Sequence, residues 1–151
     1  MIRKIILLPI IFTITSCGLN EISEQPTDSP NIRERQIAFK VISGDIKELK
    51  DILENDKIID KEKLKTTSTQ LLKHANIPFE YFGENDKGGH SRPNIWTQND
   101  TFIEERNKFI AAVENFNQDI QKEEIEKART SFGNITTTCK SCHDLFKFKT
   151  N

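Results

Sequence analysis

Four stripes of apolar residues, with members three and four positions apart, run through residues 32 to 146. This spacing puts each stripe on one face of an α-helix, because the helix repeats every 3.6 residues. The members, stripe by stripe, are Ile32, Phe39, Ile42, Ile46, Leu49 and Leu53; Leu64, Ser68, Leu71 and Ala75; Phe102, Phe109, Val113, Phe116 and Ile120; and Ile125, Ala128, Phe132, Ile135, Cys139, Cys142 and Phe146. No segment shows the convincing alternation of a half-buried strand. The sequence therefore predicts an all-α, antiparallel four-helix bundle.

A long loop is predicted between the second and third helices, from residue 77 to residue 99. The helical pattern stops there, and the segment contains the helix breakers Pro78, Gly83, Gly88, Gly89 and Pro93. It also carries four aromatic residues, Phe79, Tyr81, Phe82 and Trp96. A loop with so many aromatic side chains is expected to pack onto the bundle. Two charged residues, Arg35 and Arg106, fall in inward slots of the first and third helices.

The composition is that of a soluble single domain with a small core. Of the 151 residues, 35% are hydrophobic and 30% are charged. The formal net charge is −1, from 22 basic and 23 acidic residues. A protein that binds nucleic acid usually carries a basic excess, so nucleic acid is not an expected partner.

The N-terminus predicts export. Arg3 and Lys4 precede an apolar run at residues 5 to 14, which is too short to span a bilayer of roughly 30 Å. The run ends in Ile14-Thr15-Ser16-Cys17, which resembles a bacterial lipoprotein signal and implies cleavage before Cys17 and lipidation of its thiol. An ordinary signal peptide cut nearby, with Cys17 as a stray thiol, is the alternative.

The chain accordingly divides into a signal peptide at residues 1–16, an anchor Cys17 with a flexible tether at residues 17–31, and a helical domain at residues 32–151. Two or three acyl chains would hold the protein on a membrane, and the lipid would be its only membrane contact. We expect a periplasmic protein. The outer membrane is favoured because Gly18, and not Asp, follows the cysteine.

Residues 139 to 143 read Cys-Lys-Ser-Cys-His, the attachment motif of c-type haem. Cys139 and Cys142 lie on one face of a helix, where they can form thioethers with the two vinyl groups of one porphyrin. His143 can then ligate the iron. Both cysteines fall in the inward register, so one covalent haem c is predicted in the bundle core near the C-terminus.

Two other uses of the motif are less well supported by the sequence. A zinc site needs about four ligands, and only His74 or His90 could complete one if Cys17 is tethered. A thioredoxin-type C-x-x-C needs a strand–helix context that this chain lacks.

No residue is an obvious sixth ligand for the iron. The single methionine is Met1, in the leader, and no lysine stands in an inward slot of the first helix. His74 fits a solvated helix end and His90 a surface loop. The sequence therefore predicts a five-coordinate haem with an apolar distal side. Such a site suits NO and CO better than O₂, and it lacks the acid–base residue that peroxidase chemistry needs.

The chain resembles the cytochrome c′ family, whose members are four-helix-bundle cytochromes with haem near the C-terminus. The resemblance covers residues 32 to 149. It rests on several matches in order: Arg35-Gln36-Ile37-Ala38-Phe39-Lys40, Ile77-Pro78-Phe79, Phe82-Gly83, Gly88-Gly89, Arg92-Pro93-Asn94-Ile95-Trp96, Phe132-Gly133 and Cys139-Lys140-Ser141-Cys142-His143-Asp144.

The resemblance implies a role for four further residues. Phe39 stands where six-coordinate relatives carry a Met ligand and many family members carry a Leu that crowds the distal face. Arg35 matches an Arg that neutralises a haem propionate, Lys147 a cation beside the proximal face, and Trp96 a Trp packed near the haem. Similar proteins are usually homodimers through their first two helices, and the apolar Val41 and Ile52 are candidates for that contact.

The leading functional hypothesis is an exported cytochrome, and not an enzyme, that reversibly binds NO and CO and buffers or sequesters NO. The alternative is a periplasmic electron carrier with a sixth iron ligand and a redox partner that the sequence does not identify. A third hypothesis, from another class, is a haem-free helical adaptor lipoprotein.

Overall fold

The computed structural model describes residues 29–55 and 59–149. Four long helices correspond to the four apolar stripes: α1 at Pro30–Leu53, α2 at Lys61–His74, α4 at Asn99–Gln121 and α5 at Ile125–Phe146. Between α2 and α4 lie a 3-10 helix at Ile77–Tyr81 and a single-turn helix, α3, at Asn94–Thr97. The all-α fold is confirmed. The predicted signal peptide at residues 1–16, the predicted anchor Cys17 and the predicted tether up to residue 28 lie outside the described residues.

The long helices run antiparallel to their sequence neighbours. Along α1 and α2, Glu48 pairs with Lys63 near the start of α2, and Asp45 contacts His74 at its end. Along α4 and α5, Glu105 bonds to Ser141, and the ring of Phe116 packs against Phe132. No helix among the described residues is long and apolar enough to cross a bilayer.

The buried core follows the predicted stripes. The largest fully buried side chains come from all four long helices: Leu49, Leu64, Leu71, Phe116, Ile120 and Ile135. Burying these side chains in one interior contributes most of the stabilising energy, roughly 2 kcal/mol for each large apolar residue.

Two details differ from the sequence predictions. The buried charge of α4 is Glu105, and the predicted Arg106 instead bonds to Asn107 at the surface. The two residues lie about equally far, on opposite sides, from the direction shared by Phe102 and Phe109, and it is Glu105 that meets Ser141 of α5. Ile52, predicted to lie outside the main stripe, is 9% exposed and belongs to the core.

Helix α1 begins within the predicted tether. Ser29 caps it by accepting a hydrogen bond from the backbone N–H of Ile32, and Pro30 occupies the first turn. Proline suits this position because its fixed φ is helical and its missing N–H would have no partner there. Pro30 and Asn31 are therefore helical, so α1 begins two residues before the predicted start of the helical domain.

The far end of the bundle is held by a strained turn. Glu123, between α4 and α5, has φ of 59°, a backbone conformation that non-glycine residues rarely adopt. Its carboxylate bonds to Lys61 at 2.9 Å and Lys65 at 2.8 Å, both on α2. The two ion pairs connect the α4–α5 turn to α2.

Candidate haem-binding site

The C-x-x-C-H motif lies in the last two turns of α5. Cys139 packs against the main core, and Cys142 packs against a second cluster formed by Ile95, Phe102 and Phe146. Burial raises the pKa of the Cys139 thiol. Burial, with the nearby Glu105 and Cys139, raises the pKa of the Cys142 thiol to about 11. Both thiols are therefore neutral at physiological pH, as suits groups that face an apolar interior.

His143 follows the second cysteine at the surface of the helix. Desolvation of its packed side lowers the pKa of the imidazole, and Lys147 lowers it further, while Asp144 opposes them. The ring is therefore neutral at pH 7, which is the form that donates a nitrogen lone pair to iron.

An aromatic cluster joins the helices at the same end of the bundle. Phe82 lies 4.9 Å from Phe102 and 6.4 Å from Phe39, measured between ring centroids. Phe102 lies 5.3 Å from Phe146, and Phe79 contacts Phe39 at 5.7 Å. These side chains come from α1, the loop, α4 and α5. Two neutral thiols bordering an apolar aromatic cluster, with a neutral imidazole next in sequence, fit the needs of thioether attachment and iron ligation.

Phe39 lies on the inner side of α1 and is partly buried against the core. Its ring meets Phe79 edge-on, with an interplanar angle of 84°, and Phe82 at 71°. The predicted distal residue is thus surrounded by other phenylalanines, and its role toward the iron stays a prediction.

Arg35 is buried, as its inward slot predicts, with only 2% of its surface exposed. Its Nη1 donates to the carbonyls of Tyr81 at 3.1 Å and Asp86 at 2.8 Å, and its Nη2 donates to the carbonyl of Gly88 at 2.8 Å. The guanidinium also lies 4.5 Å from the centre of the Phe82 ring. Arg35 therefore clamps the loop to α1. A role toward a haem propionate stays a prediction.

Asp86 completes this clamp and is a residue that sequence analysis missed. It is 7% exposed, and its carboxylate accepts hydrogen bonds from Ser29, Asn31 and the backbone N–H of Gly83. These bonds hold the pKa of Asp86 below its usual range, so it stays charged. A lone aspartate in a polar loop follows no periodicity, so only the fold identifies it.

Gly88 and Gly89 let the loop approach α1 closely. Both have positive φ, 137° and 60°. A Cβ on Gly89 would lie 3.0 Å from the side chains of both Ile32 and Gln36. The glycine pair is thus required by backbone conformation and by space together.

The rest of the loop is fixed to the end of α5. The backbone N–H of Arg92 donates to the carbonyl of Phe146 at 2.9 Å, and the Asn94 side chain donates to Leu145 at 3.1 Å. Trp96 donates from its indole nitrogen to Gly83 at 2.9 Å and packs on Phe82, which confirms the expectation that the loop is packed. Lys147, the residue after α5, is exposed, and its backbone N–H donates to the carbonyl of His143.

The two other histidines, His74 and His90, do not join the motif. His74 Nδ1 lies 2.7 Å from Asp45 Oδ2, between α2 and α1. His90 is exposed in the loop. Across residues 29–55 and 59–149, no group of three His, Cys, Asp or Glu side chains could hold a metal ion. The zinc alternative therefore receives no support from the described residues.

A buried carboxylate lies beside the motif. Glu105 is 5% exposed and accepts a hydrogen bond of 2.6 Å from Ser141, the residue between Lys140 and Cys142. Its other oxygen contacts Lys108 at 2.8 Å. Sequence analysis missed Glu105, although its position three residues after Phe102 and four before Phe109 places it on the inward face.

Comparisons with known proteins identify one family. The family described as Cytochrome C′ matches residues 30–147. The cytochrome c′ of Alcaligenes xylosoxydans xylosoxydans is 23% identical over 125 residues, which cover 83% of this chain and 97% of that protein. The cytochrome c′ of Rubrivivax gelatinosus is 24% identical over 129 residues, with coverage of 83% and 98%.

Solved structures with a similar fold include two nitric oxide complexes of cytochrome c prime variants from Alcaligenes xylosoxidans. One has a TM-score of 0.77 at 22% identity and covers 80% of this chain and 94% of the other. The second, a ferrous variant, has a TM-score of 0.77 at 23% identity, with the same coverage. These likenesses establish the four-helix-bundle fold. Because the family match spans all the described helices and the C-x-x-C-H motif, the chain belongs to the cytochrome c′ family, whose members bind covalently attached haem c.

Proposed function

We propose that this protein is an exported cytochrome c′ that binds NO and CO reversibly at a five-coordinate haem c and serves to buffer or sequester NO. Cys139 and Cys142 would hold the haem and His143 would ligate its iron, which supplies the gas-binding centre. The observation that carries the proposal is the setting of Phe39, whose nearest aromatic neighbours are Phe79 and Phe82. Phenylalanine rings offer no ligand to iron and no hydrogen-bond donor to a bound gas.

The positions of the other candidate ligands support five-coordination. His74 is engaged by Asp45 at 2.7 Å, and His90 is an exposed loop residue. The chain has one methionine, Met1, which would be lost when the predicted signal peptide is cleaved. Lys40, the lysine next to Phe39, is exposed on α1.

Ligand preference follows from the apolar surroundings. Bound O₂ gains partial negative charge and is stabilised by a hydrogen-bond donor, whereas NO and CO stay close to neutral. The rings of Phe39, Phe79 and Phe82 donate no hydrogen bond, so they favour the neutral gases. The structures of relatives that are nitric oxide complexes lend further support.

Absorption spectroscopy separates this proposal from electron transfer. We expect a high-spin ferrous spectrum whose Soret band shifts on addition of CO or NO. A sharp low-spin α band that CO leaves unchanged would instead indicate a sixth ligand and an electron carrier. A pyridine haemochrome assay should find one covalent haem per chain, and its absence would favour the haem-free adaptor.

The proposal includes export and lipidation at Cys17, with attachment to the outer membrane. The Cys17→Ser variant should lose incorporation of labelled palmitate and leave the membrane fraction, with an unchanged haem spectrum. Retention of the label in that variant would contradict lipidation at this residue. Separating the inner from the outer membrane on a density gradient decides the location.

A homodimer through α1 and α2 is proposed as the assembly. Ile37 and Val41 are 43% and 41% exposed, one turn apart on α1, and Gly44 continues the same face with open space above it. Ile52 cannot contribute, because it is buried in the core. In sedimentation velocity, Val41→Glu should convert a dimer to a monomer. Ile103→Glu, at a similarly exposed site on α4, should not.

A further inference from the structure

The carboxylate of Glu105 is connected directly to the haem-attachment turn. Glu105 Oε2 accepts a 2.6 Å hydrogen bond from the Ser141 hydroxyl, and Ser141 lies between Cys139 and Cys142 on α5. The side chain of Glu105 is only 6% exposed. This bond is a polar link between α4 and the segment that holds the two thiols.

The surroundings keep Glu105 ionised. Its second oxygen contacts Lys108 at 2.8 Å, so both oxygens have a donor, and hydrogen bonds from Lys108 and Ser141 lower the pKa of the carboxyl. Lys108 is 49% exposed, so water screens its charge, whereas the buried carboxylate is poorly screened. Burial raises the pKa of the Cys142 thiol and Glu105 raises it further, so the negative charge of Glu105 acts at the attachment turn.

We propose that Glu105 is a positioning residue that acts through Ser141, holding the attachment turn against α4 and placing one buried negative charge there that lowers the reduction potential of the haem. The inference rests on haem attachment at Cys139, Cys142 and His143, and not on gas binding. Ferric iron carries one more positive charge than ferrous iron, so a nearby negative charge stabilises the ferric state.

The test is a redox titration of the haem-loaded Glu105→Gln variant, with Glu104→Gln as its matched control. Glu104 is adjacent in sequence and also contacts Lys108 at 2.8 Å, but its side chain is 64% exposed and it does not contact Ser141. We expect Glu105→Gln to shift the ferrous-to-ferric ratio three- to tenfold toward ferrous at fixed potential, about 30–60 mV for one electron. Glu104→Gln should shift it less than 1.5-fold. Equal shifts, or none in Glu105→Gln, would overturn the inference.

If Glu105→Gln does not attach haem, two variants of Ser141 test whether Glu105 acts on the haem through that residue. Ser141→Ala removes the hydrogen bond to Glu105, so Lys108 can draw the carboxylate toward solvent. We therefore expect the ferrous-to-ferric ratio to shift about 1.5- to threefold in the same direction. Ser141→Thr restores a hydroxyl and should return the ratio to within 1.5-fold of wild type. If Ser141→Ala matches wild type, Glu105 does not act through Ser141. The CO spectrum of the wild-type protein tests gas binding separately, because it does not enter this measurement.

Discussion

Replacing Arg35 with Ala should destabilise the protein more than any other substitution in the loop clamp. Arg35 makes three hydrogen bonds to carbonyl oxygens of Tyr81, Asp86 and Gly88, at 2.8 to 3.1 Å, and is 2% exposed. Each bond from a charged donor contributes about 1.5 kcal/mol or more, and the contact with Phe82 adds about 0.5 kcal/mol. Since water can reach part of the loop once the side chain is gone, we expect a total loss of about 3–5 kcal/mol.

Urea unfolding followed by circular dichroism measures this loss. Arg33→Ala is the matched control, because Arg33 lies on the same helix and is exposed; it should change the free energy of unfolding by less than about 0.5 kcal/mol. Arg35→Lys should fall between the two, since a lysine keeps the charge but not the planar fork of donors.

Limited trypsin digestion tests whether the loss is local to the loop. Lys87 lies within the clamped segment and offers a cleavage site, whereas the bond after Arg92 resists trypsin because Pro93 follows it. Cleavage after Lys87 should be at least tenfold faster in Arg35→Ala than in Arg33→Ala. A difference in unfolding free energy of under 1 kcal/mol between the two variants would refute the reasoning, because the loop carbonyls would then be satisfied without Arg35.

Three further predictions follow from the geometry. Phe39→Ala should speed CO association at least tenfold in flash photolysis, with Phe39→Leu much closer to wild type; an unchanged rate would mean that Phe39 does not line the gas pocket. Gly89→Ala should lower the free energy of unfolding by about 1–3 kcal/mol, because a Cβ at φ of 60° would lie 3.0 Å from Ile32 and Gln36, whereas Gly44→Ala, in open space within α1, should raise it by about 1 kcal/mol. Hydrogen bonds from Lys65 and then Lys61 lower the pKa of Glu123 from 4.5 to about 2, so their stabilisation is full above pH 4.5 and declines as the pH falls toward 2. The gap in urea midpoint between wild type and Glu123→Gln should therefore narrow between pH 6 and pH 3, and a constant gap would contradict this origin.

Periodicity accounts for most of what the sequence predicts correctly. The apolar residues of α1, α2, α4 and α5 repeat with the helical period, so the stripes identify both the helices and the core. The C-x-x-C-H motif is local in sequence, so its helix and its inward register could be predicted from spacing alone.

The errors arise where the structure depends on tertiary contacts or on small angular differences. Arg106 and Glu105 are 100° apart on a helical wheel, and which of them is buried depends on the neighbouring helix that supplies Ser141. Asp86 and the partners of Arg35 belong to a loop without periodicity, whose path is set by contacts with α1. The start of α1 at Pro30 follows from capping by Ser29, a local signal that the prolines of the tether obscured.

The hydrogen bonds that clamp the loop determine which substitutions, insertions and deletions this segment can tolerate. Arg35 contacts three main-chain oxygens, and the N–H of Arg92 and the side chain of Asn94 likewise bond to main-chain carbonyls at the end of α5. Every residue type presents the same carbonyl, so these contacts constrain the number of residues between Phe82 and Pro93 more strongly than their identities. A saturation library of the exposed positions 84, 85, 87 and 90 should therefore be widely tolerated, while insertion or deletion of a single residue there should not.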